Sequence, residues 1–154
     1  MTRAIQQSVE FSVSPKELFE LYMDSKKHSA ATGGPAKISR KAGGKFTAFG
    51  GMLQGKNLVI IPRRMIVQSW RATHWKAADP DSILVLTFSK SRRGGRIHLV
   101  HASVPEYDHG GVSRGWPKYY WNPWKAYLAQ RQKKSMRQPG GRNRKPKARL
   151  LDES

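Results

Sequence analysis

The residues able to do acid–base or metal chemistry are few: five histidines and ten carboxylates in 154 residues, with no cysteine. His98 and His101 are three apart, which on a helix would bring them together. Here Ile97, Leu99 and His101 alternate with their neighbours, a strand pattern, so the two imidazoles point to opposite faces and cannot share a metal. His28 and His109 fall in expected loops, and Glu106 and Asp108 lie near His109 without completing a ligand set. Gly50 through Lys56 fits the spacing of a phosphate loop, but Asn57 replaces the required Ser or Thr and an apolar strand follows instead of a helix. No metal and no cofactor are therefore expected. One set could move a proton: His101 on an inward face, with Gln68 and the Tyr120 hydroxyl. With no nucleophile or acid beside it, His101 reads first as a hydrogen-bonded polar wall, and no reaction is assigned.

The interior that would hold this set is announced by residues 114–128, which contain three of five tryptophans and three of five tyrosines. At helical spacing Trp116, Tyr120, Trp124 and Leu128 share one face, with Tyr127 beside them and Lys118, Asn122 and Lys125 outward. The helix should span about 112–130, with Pro117 in its first turn and a kink at Pro123. Its cover is a run of alternating strands. Ile5 to Val13 form the first. Ser14-Pro15-Lys16-Glu17 is a capping box opening a short helix to about Met23, and a second helical turn follows in 24–34. Six further strands are predicted near 36–40, 45–50, 56–61, 65–74, 82–89 and 96–104, separated by turn signals too short for anything but antiparallel neighbours. The expected fold class is α+β, a curved antiparallel sheet of about seven strands around the long C-terminal helix. Alternation selects Phe46, Leu58, Ile60, Trp70, His101, Tyr120 and Trp124 as the lining of a cavity for a hydrophobic or aromatic small molecule.

The formal charge is +19. Residues 131–154 carry nine Lys/Arg against Asp152 and Glu153, and the rest carries 20 against 8. The expected organisation is a domain over 1–131 and a basic, disordered tail over 132–154. In an antiparallel meander alternate turns share an end, which collects Arg40, Lys41, Arg63, Arg64, Arg92, Arg93 and Arg96 beside the emerging tail. Asp79, Asp81, Glu106 and Asp108 fall at the other end. The basic end is a candidate contact for an anionic partner; nucleic acid is the less favoured choice, since no aromatic stripe for base stacking accompanies it. The longest apolar stretch, Leu58–Ile61, is too short to span a bilayer, and no apolar signal core opens the chain, so a cytoplasmic location is expected.

Five segments carry a family resemblance: 9–15 (Val-Glu-Phe-Ser-Val-Ser-Pro), 43–46 (Gly-Gly-Lys-Phe), 61–71 (Ile-Pro-Arg-Arg-Met-Ile-Val-Gln-Ser-Trp-Arg), 101–105 (His-Ala-Ser-Val-Pro) and 115–121 (Gly-Trp-Pro-Lys-Tyr-Tyr-Trp). In this order they resemble bacterial SRPBCC proteins of the START-related, pollen-allergen-like superfamily. Within it they are similar to the subfamily named after the C-terminal domain of the activator of heat-shock protein 90 ATPase. The resemblance covers about 3–130 and implies a helix-grip fold around an apolar cavity, with no shared catalytic motif. It also implies a stress or chaperone accessory role with a chaperone partner. Superfamily relatives resembling polyketide cyclases imply the alternative, a cavity enzyme using proton transfer.

Overall fold

The computed structural model describes residues 1–137. A ten-residue strand, β1 (Thr2–Phe11), leads into two short helices, α1 (Pro15–Met23) and α2 (Ser25–Thr32). Ser14 caps α1 by accepting from the Glu17 N–H, and Asp24 caps α2 by accepting from Lys27. Gly33 ends α2 in a left-handed conformation, φ 83°, which a residue with a Cβ adopts reluctantly. Six strands follow: β2 (Ala36–Ile38), β3 (Lys45–Ala48), β4 (Leu53–Ile61), β5 (Met65–Ala72), β6 (Ser82–Lys90) and β7 (Gly95–Pro105). The sheet order is β1-β7-β6-β5-β4-β3-β2, with every pair antiparallel. The expected helix-grip layout is what the chain forms.

The aromatic helix is broken where its prolines fall. α3 (His109–Trp116) passes through a π-helical turn, Pro117–Trp121, into α4 (Asn122–Arg137). Pro123 has no N–H to return to the preceding turn, and the Asn122 N–H instead reaches five residues back to the Pro117 carbonyl. The wider turn brings an extra ring inside, so Tyr120 and Trp121 are both buried with Trp116, Trp124 and Leu128. Trp121 is the ring that an uninterrupted 3.6-residue period leaves out. α4 also continues past Gln132 to Arg137. The tail expected over 132–154 otherwise lies outside the described residues from 138 onward.

Ile66, Gln68, Trp70, Leu84, Leu86, Phe88, Ile97, Leu99 and His101 all face the interior, as strand alternation requires. Leu58 does not. The β4–β5 register shifts between Asn57 and Val59, leaving Leu58 as an extra, unopposed residue. Asn57 takes the buried position and Leu58 is 46% exposed. His28, expected in a loop, is buried on α2, and His109, also expected in a loop, opens α3 and donates from Nε2 to the Ala4 carbonyl at 3.1 Å. β5 ends at Ala72, so His74 belongs to the following turn and is exposed.

Candidate functional site: an apolar pocket above a sealed polar core

The interior between sheet and helix divides into two parts. Beside α4 it is solid. Trp124 is fully buried among Phe11, Tyr22, Tyr120 and Trp121, with ring centroids 5.7–6.4 Å away. Phe46 is buried against Gly55, its register partner on β4. Beside α3 and the π turn the packing stops short and leaves a pocket of about 370 Å³. Trp70 and Ala72 of β5, Leu53 of β4, Phe49, and Val112, Trp116 and Tyr120 from the helical side form its walls. Exposed Met52 and Tyr119 border it, and Phe49 and Tyr119 meet edge to face across 5.7 Å. Of the seven residues expected to line a cavity, Trp70 and Tyr120 do so; Phe46, His101 and Trp124 lie in the packed core, Ile60 borders a second hollow near α1, and Leu58 is outside.

Two buried hydrogen-bond chains seal the floor. In the first, the Trp116 indole N–H donates to Nδ1 of His101 at 3.2 Å. An indole can only donate, so Nδ1 is bare and the ring proton sits on Nε2, which donates to the Ser82 hydroxyl at 2.8 Å. Ser82 in turn donates to the Trp70 carbonyl at 2.6 Å. Both imidazole nitrogens are occupied, and burial pushes the His101 pKa down to about 3.

In the second chain, the Tyr120 hydroxyl donates to Nε2 of His28 at 3.0 Å, and His28 Nδ1–H donates to the Tyr22 carbonyl at 2.8 Å. The Tyr22 hydroxyl donates to Gln68 Oε1 at 2.8 Å, and Gln68 Nε2 donates to Asn57 Oδ1 at 2.9 Å. Asn57 ends the chain on the Ser39 and Lys41 carbonyls. Burial lowers the His28 pKa against the opposing bond to Tyr22, and raises both tyrosines. His101, Gln68 and Tyr120 therefore do not converge as a proton-transfer set. Each spends its polar atoms on a different partner. His28, Ser82 and Asn57 escaped sequence reasoning because no local pattern marks a polar residue whose partner lies tens of residues away.

The polar features at the pocket itself are at its rim. Asp108 accepts from the Trp75 indole N–H at 2.8 Å and faces Nε2 of His74 at 3.0 Å through the same oxygen. Among the described residues no cluster of three or more His, Cys, Asp or Glu could hold a metal.

The turn regions carrying Arg40 and Lys41, Arg63 and Arg64, and Arg92, Arg93 and Arg96 lie at one end of the sheet, as the meander order dictates. All seven are exposed. Arg40 pairs with Glu20 at 2.8 Å. Glu10 accepts from the Arg93 backbone N–H at 3.1 Å.

This sheet, gripping a C-terminal helix with an unfilled hollow between them, is the SRPBCC-type helix-grip architecture. A family described as Activator of Hsp90 ATPase homolog 1-like protein matches residues 12–129. The chain belongs to that family. It is 27% identical over 118 residues to the activator of 90 kDa heat shock protein ATPase homolog of Dictyostelium discoideum, covering 76% of this chain and 30% of that protein. It is also 27% identical over 110 residues to the human activator homolog 1, covering 71% of this chain and 32% of that protein. The chain thus spans about a third of the length of these relatives. The crystal structure of an HSP90 activator from Plasmodium falciparum superposes with a TM-score of 0.72 at 24% identity, covering 82% of this chain and 96% of that one. A Mesorhizobium loti protein superposes with a TM-score of 0.71 at 17% identity, covering 83% and 98%. These superpositions concern the fold.

Proposed function

We propose that this protein is a chaperone accessory factor whose helix-grip domain takes a hydrophobic or aromatic small molecule into the 370 Å³ pocket beside α3. The observation that carries the reading is the pocket itself. It is walled by Trp70, Trp116, Tyr120 and aliphatic groups, and is of the size range in which proteins hold small ligands. The Asp108–His74 pair at the mouth gives an entering ligand one polar anchor and leaves the rest of its recognition to shape. The chaperone role rests on family membership and on the names of the relatives; a heat-shock ATPase is accordingly the partner to try first.

The test is native mass spectrometry of the protein purified from its cells, alongside Gly115→Leu. Gly115 lines the pocket, and a Cβ there meets only the Tyr119 ring at 3.7 Å, so the longer side chain fills the hollow without displacing backbone. A small-molecule adduct on the wild type that Gly115→Leu lacks supports the proposal. Identical adduct-free spectra, with no shift when aromatic compounds are added, would end it.

A further inference from the structure

We propose that residues 58–61 of β4, with the hollow between them and α1, form a docking edge for an extended acidic–apolar peptide segment of a partner protein. This surface lies away from the pocket beside α3 and is independent of the ligand proposal. β3 is short and pairs with β4 only from Leu53 to Lys56. The Gly43–Gly44 turn extends that pairing by two backbone bonds to Asn57, and beyond it no strand among the described residues pairs with β4 on that side. The Ile61 carbonyl accepts from the Arg64 N–H at 2.9 Å, so Ile61 directs its backbone groups toward β5. Alternation then turns the N–H and C=O of Ile60 to the open side. Lys56 and Pro62 flank this edge and the bulge at Leu58 bends it, the usual devices against pairing with other chains, so what stays open between them is short. Within that stretch Leu58, Val59 and Ile61 are 46%, 42% and 44% exposed.

Next to this edge is a hollow of about 290 Å³, where Ile60 faces the buried Phe19 and Met23 of α1. A strand added to β4 would run between an edge strand and a helix, with alternate side chains dropping into the hollow, an arrangement used by strand-addition recognition. The rim sets the charge of the occupant. Lys16, Arg40 and Arg63 surround the hollow. Arg40 is already matched by Glu20, while Lys16 and Arg63 make no ion pair among the described residues. With +19 on the whole chain, a second copy is repelled from this edge and an acidic segment is drawn to it.

The experiment uses the full chain, isotope-labelled, and three short blocked peptides: alternating glutamate and valine, the same peptide N-methylated at every second amide, and alternating lysine and valine. The expected result is amide shifts confined to residues 57–61 and the Arg40 turn with the glutamate peptide. N-methylation should weaken binding by about ten-fold or more, because it removes strand pairing while keeping charge. Arg63→Glu, which leaves β4 intact, should weaken it likewise, and the lysine peptide should not bind. Equal affinity for the N-methylated peptide, shifts spread over all basic turns, equal competition by oligothymidylate, or concentration-dependent dimers in place of peptide binding would each overturn the proposal.

Discussion

Trp116 donates its indole proton to Nδ1 of His101 across 3.2 Å, joining the aromatic helix to the centre of β7. The bond settles the imidazole tautomer and, with Ser82 on the other nitrogen, leaves His101 no atom for chemistry.

A pH dependence follows. The folded pKa of His101, about 3, lies below its ordinary value of 6.5. Between those values the unfolded chain binds a proton that the folded chain does not, so stability falls as pH drops through that window. The loss is on the order of a few kcal/mol by pH 3, and His28, lowered in the same direction, adds to it. Denaturant unfolding at pH 7 and pH 4 measures this. His101→Gln, which keeps a donor and an acceptor without the titration, should flatten much of the slope; an unchanged slope would refute the assignment.

Gln68 holds the second chain together from its middle. Gln68→Leu leaves the Tyr22 hydroxyl and the Asn57 carbonyl oxygen unpaired in the core, and should cost about 2–5 kcal/mol. Tyr22→Phe removes one donor and should cost about 1–2 kcal/mol. Urea midpoints of the two variants compare them directly, and the order of the two losses is the expected outcome.

Two glycines should respond to alanine with opposite signs. A Cβ on Gly55 would stand 1.8 Å from the Ser69 carbonyl oxygen and 2.7 Å from the Phe46 ring, so Gly55→Ala must part β4 from β5. The expected loss is about 3 kcal/mol. Gly115 sits inside α3 with room for a Cβ, and Gly115→Ala should raise stability by up to about 1 kcal/mol through helix propensity. Thermal melts of both variants check the pair.

Asp108 should act as the anchor at the pocket mouth. Asp108→Asn leaves an acceptor for Trp75 but removes the charge facing His74. Calorimetry with naphthalene-type probes should show uncharged rings bound equally, and amine-bearing rings weakened by about ten-fold. Equal loss for both would mean that the pocket wall itself had moved.

The strand count, the antiparallel order and the inward faces of β5, β6 and β7 were legible because two-residue alternation and glycine-rich turns are local signals. So was the burial of Trp116, Tyr120 and Trp124. The extra residue at Leu58 was not, since it depends on how β4 meets β5; at the helix, Pro117 and Pro123 marked the break but not the added residue in the turn that puts Trp121 inside. Leu58 and Trp121 thereby exchanged the environments that simple periodicity assigns them. The position of the hollow was beyond the sequence for the same reason. Residue types say that large rings lie inside, but whether they meet or leave a gap depends on distances between elements. The chain closes completely around Trp124 and stops short beside Trp70 and Tyr120, and only three-dimensional packing makes that difference.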